Sequence, residues 1–407
     1  MSKGALEGFR ILELSTGVAG PFAGKLFADY GADVVKVEPL SGDEGRKLPP
    51  FFNDHPHPEK SLSFLYLNTN KRSITLDIKT IQGRQMLGYL AQKFDAIIES
   101  YSPDYLDTLG IGYKVLSQIN PNLVMTSITP YGQKGPYREY PGDDIIYEAM
   151  GGIMYISGAH DREPLKHGHP QSLYIGGITA AYATSSALFS RISLGKGQHI
   201  DLSLRDVSAA HHHATPTRYS FVGAVERRAP KVEAGSPKGG AHFEGIVPVQ
   251  DGYVGATFQR GIQRGSYSDY VELLDRPDLD DPGFPPIEFP ARIPNDKDEL
   301  LLAALKEWTK YDYFNKAASE SWVAAVVQTS QDLVHGEHLN ERGFFSEMEH
   351  PVVGKIKMPG EISRLTGSPW ALKRPTPLLG QHNKEIYCGE FGIDEEELVQ
   401  LRRQGVI

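Results

Sequence analysis

Apolar runs and amphipathic stretches of helical period alternate along the first third of the chain. FRILELS (9–15) is a short run of β-favouring residues, followed at once by Gly17, Gly20 and Pro21. PFAGKLFADYGA then predicts a helix, and DVVKVEP (33–39) predicts a second strand. The alternation continues through SITLDI (73–78), a helix over GRQMLGYLAQKF, DAIIESY (95–101), a helix over PDYLDTLGIGYKVLSQI, and LVMTSITPYG (123–132). Strands separated by helices predict a parallel sheet with helices on its faces. GHPQSLYIGGITAAYA (168–183) reads as a loop entering a buried helix, and GKGQHIDLSL as a turn and a further strand.

From about Val222 the texture changes. GAVERRAPKVEAGSPKGGAH mixes glycine, proline and charge, as linkers and mobile loops do. IVPVQDGYVGATF (246–258) predicts a hairpin turning at Asp251-Gly252. A proline-dense stretch (281–294) and a helix over 298–308 complete a smaller second domain, after which the tail reads as long polar helices ending in DEEELVQLRRQGV (394–406). The fold class expected is α/β with a second, smaller domain. The length of 407 residues also favours two domains over a single core.

Charge and composition narrow the function. A net charge of −9 gives no overall positive field for nucleic acid, though an anionic small ligand needs only a local cluster of donors. The single cysteine, Cys388, leaves no disulfide framework or cysteine metal site and fits a reducing cytoplasm. The opening MSKGALEGFRILELS has no apolar signal core, and no stretch is long and apolar enough to span a bilayer. A cytoplasmic protein with neither nucleic-acid nor membrane partners is expected.

Several motifs have ordinary structural readings. TGVAGPFAG with Glu38 some twenty residues on resembles a dinucleotide turn, but it lacks the GxGxxG spacing, and Pro21 suits a first helical turn. His211, His212 and His213 are adjacent, so they point in different directions around a helix, and no metal site is expected. Asp143 and Asp144 read as a helix cap and a first-turn charge, with an acid–base pair as the alternative. KGGAH (238–242) reads as a solvent loop or, more sharply, as a flap over a ligand.

Taken in order, LELSTGVAGPFAGKLFADYGADVVKVEP, LNTNKRSITLDIKT, IIESYSP, GKGQHIDLSL, GGAHFEGIVPVQDGYV, RGFFSEMEHPVVG and RPTPLLGQHN resemble the class III CoA-transferase family. That family includes formyl-CoA, carnitine and benzylsuccinate CoA-transferases. The resemblance implies an open Rossmann-like parallel-sheet domain built from both chain ends, a smaller middle α+β domain, and two subunits interlocked as a dimer. The implied domains are 1–221, 222–330 with the glycine loop, and a segment 331–407 returning to the large domain. The implied chemistry begins with an aspartate attacking a thioester. CoA leaves as thiolate and the enzyme holds a mixed anhydride, over which the glycine loop closes against water.

The family's nucleophile lies in a D-x-x-x-G pattern before the helix ending in TGxGQ. Aligning Gly177 with that glycine puts Leu173 at the aspartate position. Asp161 and Glu163, the nearest upstream acids in the loop, lie at least ten residues away. Where the family often has Asn-Phe and a following arginine against CoA, this chain has Ser100-Tyr101 and Thr108. Pro39 follows Glu38, where an arginine often faces the adenine. Lys71 and Arg72 remain, so the implied CoA site is a vestige of Lys71, Arg72, Ser100 and Tyr101. A racemase fits less well, because Asp143 precedes Asp144-Ile145 where that branch has a histidine.

The function implied is that of a non-catalytic subunit, interlocked in a heterodimer or higher heteromer with a homologous catalytic CoA-transferase. Acyl-CoA would be the substrate of the complex, with no covalently bound cofactor. Succinyl-CoA and benzylsuccinate, from anaerobic aromatic degradation, are the expected donor and acceptor. The alternatives are an active homodimeric transferase with a displaced carboxylate and a non-enzymatic acyl-CoA-binding or scaffold protein.

Overall fold

The computed structural model describes residues 3–158, 162–212, 214–228, 245–280 and 295–407. Six strands, β1 (Arg10–Leu14), β2 (Asp33–Glu38), β3 (Arg72–Thr75), β4 (Ala96–Glu99), β5 (Val124–Thr129) and β6 (His199–Ser203), form one parallel sheet in the order β3-β2-β1-β4-β5-β6. Both faces are covered, which is why the strands read as unbroken apolar runs rather than alternations. Leu12, Val35 and Ile97 pack with Leu87, Leu90, Phe94 and Ile386 on one side. Ile11, Val34 and Ile98 pack with Ala23, Phe27, Ala180 and Leu188 on the other. Strand order reverses between β1 and β4, so their outgoing loops part and leave a crevice at the carboxyl edge, where open α/β sheets bind ligands.

The α-helices of the first 222 residues, in chain order, are α1 (Ala19–Asp29), α2 (Leu62–Leu67), α3 (Ile81–Ala91), α4 (Tyr105–Thr108), α5 (Tyr113–Ile119), α6 (Asp144–Gly151), α7 (Ile153–Ile156), α8 (Gln171–Leu194), α9 (Leu204–His211) and α10 (Ala214–Val222). The single helix expected over 103–119 is broken into α4 and α5. Gly110 adopts φ +73, and Asp107 fills the space where a side chain on Gly112 would go. Among the described residues no helix is long and apolar enough to cross a membrane.

The chain divides into two compact units. One comprises Met1–Ser157, Leu165–Glu226 and Glu341–Ile407, and the other Gly158–Pro164 and Arg227–Asn340. Both chain ends therefore build the sheet unit. In the other unit, strands Gly245–Val249 and Gly252–Ala256 make the expected hairpin, with Ala325–Val326 alongside as a third strand. The helix expected over 298–308 runs Asn295–Leu305. KGGAH and the proline-dense stretch lie outside the described residues.

The tail departs from its reading as long polar helices. Phe345–His350 and Gly354–Pro359 pair as an antiparallel hairpin. Met348 and His350 turn inward while Glu347 and Glu349 face solvent, a period of two that the charged residues disguise. The last helix, Glu395–Arg403, forms as expected. Asp394 caps it by accepting from Glu397 N at 2.7 Å.

Candidate active site

The crevice at the strand reversal has two lips. After β1 come Ser15, Thr16 and Gly17, and after β4 come Ser100 and Tyr101. The Ser100 hydroxyl oxygen accepts from Thr16 N at 3.0 Å, bridging the lips. Tyr101 N donates to Glu99 Oε2 at 2.7 Å, and the Tyr101 ring packs on Tyr105 with centroids 5.1 Å apart. Gly17, at φ +75, donates its N–H to Asp43 Oδ1 at 3.3 Å. Thr108 is engaged locally, its hydroxyl donating to Tyr105 O at 2.7 Å.

Beneath the β1 lip lies a charge network with no exposed member. Lys36 Nζ meets Glu13 Oε1 at 2.8 Å, Asp43 Oδ2 at 2.6 Å and the Ser15 carbonyl at 3.0 Å. Burial opposes charge on Lys36, but Asp43, Glu13 and Glu38 outweigh it and raise its pKa. Glu38 accepts both nitrogens of an Arg46 fork, at 2.6 and 2.8 Å, together with Ser73 Oγ and Asp43 N. Its carboxylate is thus occupied within the protein, as the plain tight-turn reading of this motif requires.

Lys71 and Arg72 are consecutive and point to opposite sides of the sheet. Lys71 is fully buried, 2.7 Å from Glu13 Oε2 and donating to Asn68 Oδ1 at 2.8 Å and to the Pro21 carbonyl at 2.7 Å. Burial lowers its pKa to about 8 against the pull of Glu13. Arg72 reaches the amino edge of the sheet, where it pairs with Asp33, Glu385 and Glu390. The structure does not bring these two cations to one point with Ser100 and Tyr101.

Leu173 sits in the first turn of α8, half-buried against the apolar cluster behind β1 and β4. Close packing fixes that turn: a side chain on Gly177 would meet the Ala19 carbonyl at 2.6 Å, and Tyr174 stacks edge-on to Phe22 at 5.0 Å. The reading of α8 as a buried helix holds for one face only. Ile178, Tyr182, Phe189 and Ile192 are 52%, 73%, 75% and 82% exposed and share the opposite face.

Asp143 caps α6, its Oδ1 accepting from Asp144 N at 2.7 Å. Asp144 does more than carry a first-turn charge. It accepts from Ser172 N at 3.0 Å and from the Ser172 hydroxyl, and it meets Lys166 Nζ at 2.5 Å, tying α6 to the start of α8. Glu148, one turn on, accepts from His167 N at 3.0 Å and lies 3.2 Å from His167 Nδ1. Glu148, Lys166, His167 and Ser172 were missing from the sequence reading. The i, i+4 spacing of Asp144 and Glu148, both facing inward, was the available signal. Asp144→Asn keeps the acceptor for Ser172 and removes the ion pair, so a stability loss of about 1 kcal/mol is expected. A chemical denaturation midpoint unchanged from the native chain would refute this.

Glu163 is exposed, and Asp161 lies outside the described residues, as does His213. His212 bridges Thr215 Oγ1, at 2.6 Å, and the Gly151 carbonyl, while His211 Nδ1 lies 3.0 Å from the Val207 carbonyl. Among the described residues no group of three or more His, Cys, Asp or Glu could hold a metal ion.

Comparison with known proteins matches residues 6–383 to CoA-transferase family III. The chain is 30% identical over 406 residues to a succinyl-CoA–D-citramalate CoA-transferase of Chloroflexus aurantiacus, covering 99% of this chain and 98% of that one. It is 29% identical over 410 residues to the succinyl-CoA:(R)-benzylsuccinate CoA-transferase subunit BbsE of Thauera aromatica, covering 98% and 97%. A crystal structure of a CaiB/BaiF family protein from Brucella suis superposes with a TM-score of 0.80 at 28% identity, covering 96% of this chain and all of that one.

Proposed function

Because the chain belongs to CoA-transferase family III, an enzyme family that moves CoA between acyl-CoAs and acids, we propose that it is the non-catalytic subunit of a heteromeric transferase. The nucleophile then belongs to a homologous partner chain. Leu173 carries this reading. A family aspartate there would attack the thioester carbonyl, break the C–S bond, release CoA as thiolate and hold the acyl group as an anhydride. A leucine has no electron pair to offer. Asp144, which reaches the first turn of α8, is already held by Ser172 and Lys166, and Glu148 is held by His167 through one of its oxygens.

Two further observations support the reading. Lys71 and Arg72 satisfy internal acids, and the crevice lips offer Ser100 and Tyr101, where a diphosphate prefers guanidinium. The α8 face of Ile178, Tyr182, Phe189 and Ile192 is apolar and exposed among the described residues, as a subunit contact would require. The named relatives that use succinyl-CoA support it as donor, and the BbsE relative supports an aryl-substituted succinate such as benzylsuccinate as acceptor.

The test is co-expression with a homologous chain bearing the aspartate, exposure to succinyl-CoA, and hydroxylamine trapping followed by mass spectrometry. An acyl-aspartate on the partner alone is expected, and Leu173→Ala in this chain should leave turnover near native. An adduct on any carboxylate of this chain, Asp144 and Glu148 included, would overturn the proposal, as would full activity of this chain alone.

A further inference from the structure

Glu99 ends β4 with a side chain only 3% exposed. One carboxylate oxygen accepts from Tyr101 N at 2.7 Å. Ser127 is the register neighbour of Glu99 on β5, and Ser127 Oγ lies 2.8 Å from His199 Nε2 on β6. Glu99, Ser127 and His199 line a cavity of about 150 Å³ whose wall includes Ser102 and Tyr105, beside the β4 lip. His199 is the outermost of the three and stacks on Tyr113, with ring centroids 5.2 Å apart.

We propose that Glu99 is a positioning residue that holds the β4 lip of the crevice through Tyr101 N and exchanges its proton with solvent through Ser127 and His199. The transfer balances. A proton arriving at His199 Nδ1 releases the Nε2 proton to Ser127 Oγ, which passes its own to the carboxylate; the reverse sequence returns it. An ionised Glu99 makes a charge-assisted bond to Tyr101 N, and a neutral one makes a weaker bond. Since Ser100 Oγ accepts from Thr16 N, a change at Tyr101 reaches the β1 lip as well.

The groups around the cavity set where this happens. Asp104, Tyr105 and Asp107 face it from α4 and the residue before it, Tyr113 and Lys114 from α5, and His199 from β6. Asp104 is paired with Arg138. Burial is the largest influence on Glu99 and raises its pKa to about 7; the bonds from Ser127 and Tyr101 N oppose it and Asp107 adds to it. Partial burial against Tyr113 also lowers the pKa of His199, which favours the neutral ring a relay needs. Because the folded value lies above the unfolded 4.5, the stabilising contribution of Glu99 is complete below pH 4.5 and is lost as pH rises through 7. The Tyr101 bond tightens over the same upper range.

Hydrogen exchange on the full chain, read by mass spectrometry at the Tyr101 amide and corrected for intrinsic rates, tests this between about pH 6 and about pH 8. Protection should rise severalfold with a midpoint near 7, and should be flat in Glu99→Gln. Ser127→Ala, which removes a bond favouring the ionised form, should move the midpoint upward. A filler role for Glu99 would leave protection independent of pH. That result in the native chain, or the same rise persisting in Glu99→Gln, would overturn the proposal. Neither a partner nor acyl-CoA is involved, so the outcome is separate from the question of which chain bears the nucleophile.

Discussion

Lys36→Ala should destabilise the sheet unit by about 3–5 kcal/mol, the cost of removing one partner from a buried ion pair. The ammonium lies among Glu13, Asp43 and the Ser15 carbonyl with no solvent exposure. Truncation leaves the Asp43 carboxylate without its cation and Glu13 with Lys71 alone. The loss is a large fraction of the roughly 5–15 kcal/mol that ordinary domains possess. Urea unfolding at neutral pH measures it. Pairing Lys36→Met with Asp43→Asn should recover part of the loss, since Glu13 keeps Lys71 and no buried carboxylate is left without a cation. A native-like midpoint for Lys36→Ala would mean water reaches the network.

Acid should act on the same place. Burial pushes the Glu13 pKa up, but Lys36 and Lys71 outweigh it and hold it below its ordinary 4.5. Its stabilising contribution is therefore present above 4.5 and lost as pH falls through the lower folded value. Native protein should lose this contribution on acidification.

Gly177→Val should lower stability by about 1–3 kcal/mol, because α1 and α8 touch at that glycine through backbone. The added Cβ would come within 2.6 Å of the Ala19 carbonyl and 3.0 Å of Phe22 Cβ. Relief requires one helix to shift along the other. Gly176→Ala is the contrast: its Cβ would meet Leu204 Cδ2, the tip of a side chain that can rotate, and the gain in helix propensity of about 1 kcal/mol offsets the crowding. Thermal melts of the two variants should therefore separate by several degrees. Equal melting temperatures would show that the helix contact yields as readily as a side chain.

The sheet was legible because its strands are buried on both faces, so that β1, β2, β4 and β5 stand out as apolar runs between glycine turns. The Asp251-Gly252 hairpin was legible from turn chemistry alone. The hairpin at 345–359 was not, because exposed charges on one face look like a polar helix until the period is counted. Lys71 and Arg72 could be recognised as candidate cations, but not their engagements. Arg72 meets Glu385 and Glu390 across 313 and 318 positions of sequence, and no local pattern encodes such a pair. The place of Leu173 came from the D-x-x-x-G motif of a resembling family. Helical periodicity marks α8 without saying which of its residues faces a reacting atom. Asp144 could be named as a first-turn charge but not tied to Ser172 and Lys166, and Glu148 was hidden by its ordinariness, being an acid in the second turn of a helix.

The edge strand β3 is closed by residues from the far end of the chain. Tyr387 donates its hydroxyl to the Thr75 carbonyl at 2.9 Å, Asn383 bonds Thr75 N and Oγ1, and Asp77 N reaches the Val406 carbonyl. On a ribosome emitting about 5–20 residues each second, those partners arrive some tens of seconds after β3 itself. Throughout that interval the β3 edge has unsatisfied backbone groups and can pair with any strand that meets it. A messenger truncated before the Asn383 codon would yield a protein that keeps all six strands but has an unsealed, aggregation-prone β3 edge.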